Sequence, residues 1–187
     1  MLNQISKFSP LPSSFVALDF ETTGLYPHLG ARIIEIGAVR VEGSRILDRW
    51  SNLVHTPSLP ASISRLTGIS EVQLRKAPTL VTLLPQICRF LGAGPIVAHR
   101  AAFERRFFYD ACARCGLPGP RLTFICTHAL AKTRLPHGPS YRLADLCGHL
   151  GIGEGLRPHR APDDAERAAL LALALDGVGP AESNGTQ

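Results

Sequence analysis

A mixed α/β sheet with helices on both faces is the fold class this chain predicts, and three observations predict it. Strand-like segments succeed one another from Phe15 to Val54 with only short turns between them, the signature of an antiparallel meander. Short apolar runs then alternate with helical periodicity from Pro78 onward, as in sheets that add parallel strands through helical crossovers. At 187 residues the chain fits one domain with a sizeable core, and no internal repeat or interdomain linker interrupts the pattern.

The elements follow in order. Residues 1–14 are rich in Pro and Ser and read as a leader, ordered only if docked. Phe15-Val-Ala-Leu18 is a buried strand that runs into Asp19-Phe-Glu21 and ends at the Thr23-Gly24 turn. Ala31 to Val41 is β-branched and largely apolar. Glu42-Gly-Ser44 then turns the chain into Arg45 to Val54, a hairpin. Glu35 lies inside the second strand, where a structural hydrogen bond or the sheet's wet edge accounts for it better than catalysis does. Short helices are expected at Ala61–Leu66 and after Ser70. A longer one spans Pro78–Leu91 and stops at Gly92 and Gly94. Ile96-Val-Ala98 is a fourth strand leading into His99. Phe103, Phe107, Phe108, Ala111, Cys112 and Cys115 recur at helical spacing up to Gly116. A fifth strand at Leu122–Ile125 precedes a helix at Thr127–Thr133, and another helix covers Tyr141–Leu150. Pro162–Leu175 is the last helix, with Pro and acidic residues in its first turn, where both are favourable. A domain over residues 15–176 and a flexible tail over 177–187 complete the division.

Composition narrows the setting. The formal charge is +5, and all but three of the 20 basic residues are arginine. Arginine's planar fork suits phosphate, so a polyanionic partner fits, as does a solvated surface. Five cysteines with no secretory segment argue against a disulfide framework. Cys112-x-x-Cys115 lacks a second pair to complete a metal site, and its spacing also fits one helix face. No window approaches the ~18 apolar residues of a membrane span. A cytoplasmic protein without membrane attachment is expected.

Asp19 and Glu21 sit two apart on a strand, so both carboxylates point to one face. Like charges held together raise each other's pKa unless a cation lies between them, and Mg²⁺ is commonly held by one or two carboxylates plus phosphate. Taken alone, an Asp-x-Glu pair is more often a polar strand end. Two further places bear on it. His99 and Glu104 flank a strand-to-helix junction, at the end of the sheet where α/β folds gather ligands. His159-Arg-Ala-Pro-Asp-Asp164 puts a loop histidine, suited to general-base work near neutral pH, just ahead of a helix-start acid. Asp163 is free to cap or to face solvent. Each is individually explained by an exposed loop or a favourable helix dipole.

Together Asp19-x-Glu21, His99-x-x-x-Phe103-Glu104 and His159-x-x-x-x-Asp164 resemble, in order, the three motifs of the DEDDh exonucleases. That family includes the DnaQ-like epsilon subunits of DNA polymerase III, which proofread, and ribonuclease T. Thr67-Gly-Ile-Ser70 with Ala77-Pro78, and Ser140 to Leu146 with His149 to Ile152, are similar to its connecting segments, so the likeness covers Phe15 to Leu175. It implies a ribonuclease-H-like fold and 3′-to-5′ exonuclease activity on single-stranded nucleic acid, DNA favoured over RNA by analogy. It implies that Asp19, Glu21, Glu104 and Asp164 hold two divalent ions, Mg²⁺ or Mn²⁺, and that His159 is the general base. It implies that Thr22, Thr23 and Leu25 lie against the 3′-terminal nucleotide while His99 lines the site. Surface solvation is expected for Arg100, Arg105 and Arg160.

Three positions depart from the family pattern. Glu104 stands where Asp is usual, and its extra methylene moves the carboxylate by on the order of 1.5 Å. Arg100 replaces a common Asn, and Cys126 a common Asp. Glu104 motivates a second expectation, a catalytically weak nucleic-acid-binding module of the same fold. A third is a proofreading subunit active only with a DNA polymerase. Oligomeric state is not legible.

Overall fold

The computed structural model describes residues 11–138 and 140–177; the expected leader up to residue 10 and the tail from 178 lie outside the described residues. Five strands form one sheet in the order β3-β2-β1-β4-β5. β1 (Ser14–Thr22), β2 (Ile33–Glu42) and β3 (Arg45–Leu53) make the antiparallel meander. β4 (Ile96–Ala98) joins β1 in parallel and β5 (Phe124–Cys126) joins β4 in parallel. β1, flanked on both sides, is the central strand.

Between and around these strands run α1 (Ala61–Thr67), α2 (Glu71–Lys76), α3 (Leu80–Leu91), α4 (Ala102–Arg114), α5 (Thr127–Arg134), α6 (Leu143–Leu150) and α7 (Ala161–Asp176). The strand after Pro120 starts two residues later than expected and runs through Cys126. A single 3-10 turn at Pro27–Leu29, which nothing in the sequence announced, folds the loop after β1. α2 shows why a six-residue helix can hold. Ser70 Oγ accepts from the Gln73 amide while the Gln73 side chain accepts from the Ser70 amide, a reciprocal cap.

Strand alternation divides the core into two layers. Val16, Leu18 and Phe20 of β1 face α3 and α4, where Leu83, Leu84, Ile87, Phe107 and Phe108 are all buried. Phe15 and Ala17 face the other way, onto Val39, Val41, Val97 and the alanines of α7. Ala161, Ala165, Ala168, Ala169 and Ala172 are 0–1% exposed, and these small side chains let α7 lie close to the sheet. The closest approach is at Gly37: a Cβ there would stand 2.1 Å from the Ala161 carbonyl carbon and 2.3 Å from the Pro162 nitrogen. Only hydrogen fits. Glu35, Gly37 and Val39 share that face of β2 by alternation, so the second strand forms the seat on which α7 begins.

Candidate active site

Asp19 and Glu21 lie on the α7 face of β1, and the α7 N-terminus delivers Asp164 and the preceding His159 to the same place. Ligand atoms of Glu21, His159 and Asp164 all lie within 4.8 Å of one another. Asp19 is surrounded: burial first, then the charges of Glu104, Asp164, Glu21 and Glu35 hold its pKa well above the ordinary value. Burial, then Asp164 and Glu35, push Glu21 up to about 8 against a lowering by Arg160. Glu104, in the first turn of α4, is 3% exposed, and burial lifts it to about 8. Its Oε2 is buried without any hydrogen-bond partner.

Glu104 is thus buried beside the half-buried Asp19, Glu21 and Asp164, where water screens their mutual repulsion poorly. The orphaned oxygen and the all-carboxylate donor set, with one imidazole beside it, fit a hard divalent cation. Asp19, Glu21, Glu104 and Asp164 are the residues that would hold it.

The His159 side of the site is built from hydrogen bonds of the loop that precedes α7. His159 and Arg100 are the non-glycine residues with positive φ among those described, at +60° and +65°. Each stands a few residues before a site carboxylate, and such strain persists where surroundings over-determine it. The His159 amide donates to Asp164 Oδ2 at 2.9 Å, and Arg167 donates to Asp164 Oδ1 at 2.9 Å. The Arg157 amide donates to Asp163 Oδ2 at 2.9 Å, so Asp163 caps this loop. Arg167 also reaches the Leu156 carbonyl. Burial raises the Asp164 pKa, and the Arg167 and His159 donors partly offset it.

Arg160 corrects an expectation. Instead of lying solvated it is forked onto Glu35, its Nε 3.0 Å from Oε2 and a terminal nitrogen 2.5 Å from Oε1. Glu35 is buried, as the structural reading of that residue required, and also accepts from the Ala161 amide at 2.9 Å. The sequence offered no sign of this pair, because its partners are 125 residues apart.

His99 is tied on both nitrogens. Its Nε2 donates to the Tyr141 carbonyl at 3.0 Å, which leaves Nδ1 to accept from the Thr127 hydroxyl at 3.0 Å. Burial lowers it to about 4, so the ring is neutral and joins β4 to α5. Thr22 is buried and its hydroxyl donates to the Gly24 carbonyl at 2.7 Å, while Thr23 Oγ1 accepts from the Arg32 amide at 2.9 Å. Both threonines shape the turn. Leu25 stands 67% exposed beyond it. A cavity of about 280 Å³ lined by Thr23, Leu25, Tyr26 and Leu29 opens there.

With that geometry in place, comparison decides the family. The Exonuclease (RNase_T) family matches residues 16–172. The chain belongs to that family. It is similar to DNA polymerase III PolC-type of Thermotoga maritima, 39% identical over 163 residues, covering 86% of this chain and 12% of the relative. It is 32% identical over 162 residues to the 3′-5′ exonuclease DinG of Bacillus subtilis, covering 86% of this chain and 17% of that protein. The chain therefore spans under a fifth of the length of these two relatives. Among solved structures it resembles exonuclease X in complex with 5′ overhanging duplex DNA, with a TM-score of 0.68 and 29% identity over 86% of this chain and 90% of that one. The family match and these relatives bear out the resemblance to DnaQ-like exonucleases, with the ribonuclease-H-like fold that the motifs implied. The family is one of nuclease hydrolases that work with divalent metals. No helix among the described residues is long and apolar enough to cross a membrane.

Proposed function

We propose that this domain removes nucleotides one at a time from the 3′ end of single-stranded DNA by hydrolysis, releasing nucleoside 5′-monophosphates. The observation that carries the reading is the gathering of Glu21, His159 and Asp164 within 4.8 Å of one another, with Asp19 feeling the charges of Glu104, Asp164 and Glu21 and with Glu104 Oε2 buried and unpartnered. Two divalent ions, Mg²⁺ or Mn²⁺, when bound to the four acids supply Lewis-acid stabilisation of the charge on the attacking and leaving oxygens. His159, held by its amide to Asp164, accepts the proton from the attacking water. The water oxygen bonds to the phosphorus of the last phosphodiester, the P–O3′ bond breaks, and O3′ takes a proton from solvent, leaving the shortened strand with a 3′-hydroxyl. Thr23 and Leu25 line the cavity in which the terminal nucleotide sits, and Leu25 abuts its base. His99 shapes the floor without titrating.

The DNA polymerase III PolC-type relative supports DNA over RNA, while the arginine-rich composition suits either polyanion. Matched DNA and RNA oligonucleotides, labelled at either end and incubated with Mg²⁺ or Mn²⁺, test the proposal. Stepwise mononucleotide release from the 3′ end of DNA that vanishes in Asp19→Ala is expected. Release from the 5′ end, or binding without cleavage under both metals, would overturn it. The PolC-type relative also supports a second reading, work alongside a DNA polymerase in the cytoplasm, which co-purification with a polymerase would test.

A further inference from the structure

Glu35 raises a question that the carboxylate site does not answer. It pairs directly across the strands with Glu21, on the same face of the sheet. Directly opposed residues have Cβ atoms about 4.5–5.5 Å apart. By position Glu35 could be a fifth acid of the cluster, and its charge is among those that raise both Asp19 and Glu21. Its two oxygens are nevertheless fully committed elsewhere. Arg160 takes both through a fork at 2.5–3.2 Å, and the Ala161 amide takes Oε2 at 2.9 Å. Glu35 is 2% exposed, so this is a buried, saturated pair.

What the pair holds is the junction between loop and helix. Arg160 immediately follows His159, and Ala161 is the first residue of α7. His159 itself sits at a φ of +60°, a conformation its own side chain does not favour. The two residues of β2 that meet this junction are Glu35, which grips it, and Gly37, which has no side chain to push it away.

We propose that Glu35 and Arg160 form a positioning clamp. The clamp fixes the backbone at residues 160–161 so that His159 and Asp164 face the strand-borne acids, and it withholds Glu35 from the metal set. Arg160 is on this view a positioning residue, not a phosphate contact. The inference rests on the proposed exonuclease reading for its kinetic consequence but not for its structural one.

The full chain with Arg160→Gln, Arg160→Lys, Glu35→Gln and the double variant Glu35→Gln/Arg160→Gln tests it. Arg49→Gln is the control, because Arg49 pairs with Glu166 further along α7 at 2.6 Å. Loss of an orienting partner of this kind costs about 10–100-fold in activity. That loss is expected in kcat on a labelled single strand at a temperature where every variant is folded, with KM within about twofold, a thermal midpoint lowered in the single variants by the charge left unpaired, and the double variant no worse than the poorer single one in either. A raised KM at unchanged kcat would overturn the clamp and make Arg160 a substrate contact. A kcat loss that merely follows the fall in thermal midpoint, or no loss at all, would also overturn it. Amide hydrogen exchange at His159 and Ala161 supplies a readout independent of activity. Faster exchange at both in Glu35→Gln supports the clamp even if the parent chain proves inactive, which would sink the exonuclease reading alone. Unchanged exchange overturns the clamp.

Discussion

The two halves of the candidate site are held in different ways. Asp19 and Glu21 ride on β1, which is hydrogen-bonded to β2 on one side and to β4 on the other. Backbone register alone aims them, and no side chain needs to cooperate. His159 and Asp164 come from a loop and a helix start, and their placement depends on side chains: Glu35 on Arg160, Asp163 on the Arg157 amide, Arg167 on Asp164. A strand-borne group is insensitive to its neighbours' identity so long as the ladder persists. A loop-borne group inherits the fragility of each contact that holds it. The strand-borne half of the site is therefore rigid by topology, and the loop-borne half is rigid by chemistry.

The largest expected effect separates these halves. His159→Ala should lower kcat by about 10²–10⁴-fold, the range of a lost general base. Metal-induced thermal stabilisation should persist in that variant, because the carboxylates stay. Asp19→Asn should lose both activity and stabilisation. If His159→Ala also abolished stabilisation, the imidazole would be a ligand and the division would fail.

A smaller effect tests the seat of α7. Gly37→Ala places a methyl group 2.1 Å from the Ala161 carbonyl carbon. Overpacking of this kind costs about 1–3 kcal/mol. Denaturant unfolding should show that loss. Because α7 must lift, kcat should fall while the strand-borne acids stay in place. Wild-type stability in Gly37→Ala would show that the helix is not pinned at this point.

The smallest effect is in pH and metal. Glu21 and Glu104 are both pushed up to about 8 from 4.5, chiefly by burial. Between those values the metal-free folded state retains protons that the unfolded chain has released, so its stability falls as pH rises from about 4.5 to about 8. A bound cation replaces those protons. The rise in thermal midpoint on adding Mn²⁺ should be a few degrees larger at pH 8 than at pH 5. Equal shifts at both would contradict the raised values of Glu21 and Glu104.

The same contrast explains what could be read in advance. β1, its paired carboxylates and the meander follow from period-two alternation and turn residues, which are local signals. The helix stop at Gly92 was equally legible, and the structure places a glycine C-cap there. Asp164 was found because an acid in a helix's first turn has a recognisable address. Glu35 and Arg160 were hidden, since a glutamate inside an apolar strand and an arginine in a loop each have an ordinary explanation until 125 residues of separation collapse. The role of Gly37 was hidden for the same reason. A glycine in a strand signals close approach of something, but not of what. His99 was legible as a candidate residue, but its two hydrogen bonds depend on Thr127 and Tyr141, which only the fold brings near.

One contact far from the site bears on how such a unit travels between proteins. The amide of Leu11, where the described chain begins, donates to Asp176 Oδ1 at the end of α7 at 2.8 Å. Leu11, ahead of β1, and the end of α7 are thus a single side chain apart. A unit with adjacent ends can be spliced into a surface loop of a host while barely spreading the loop's two stems, and it folds around its own core without borrowing from the host. Such portability suits a domain whose similar segments make up 12% and 17% of the two much longer relatives.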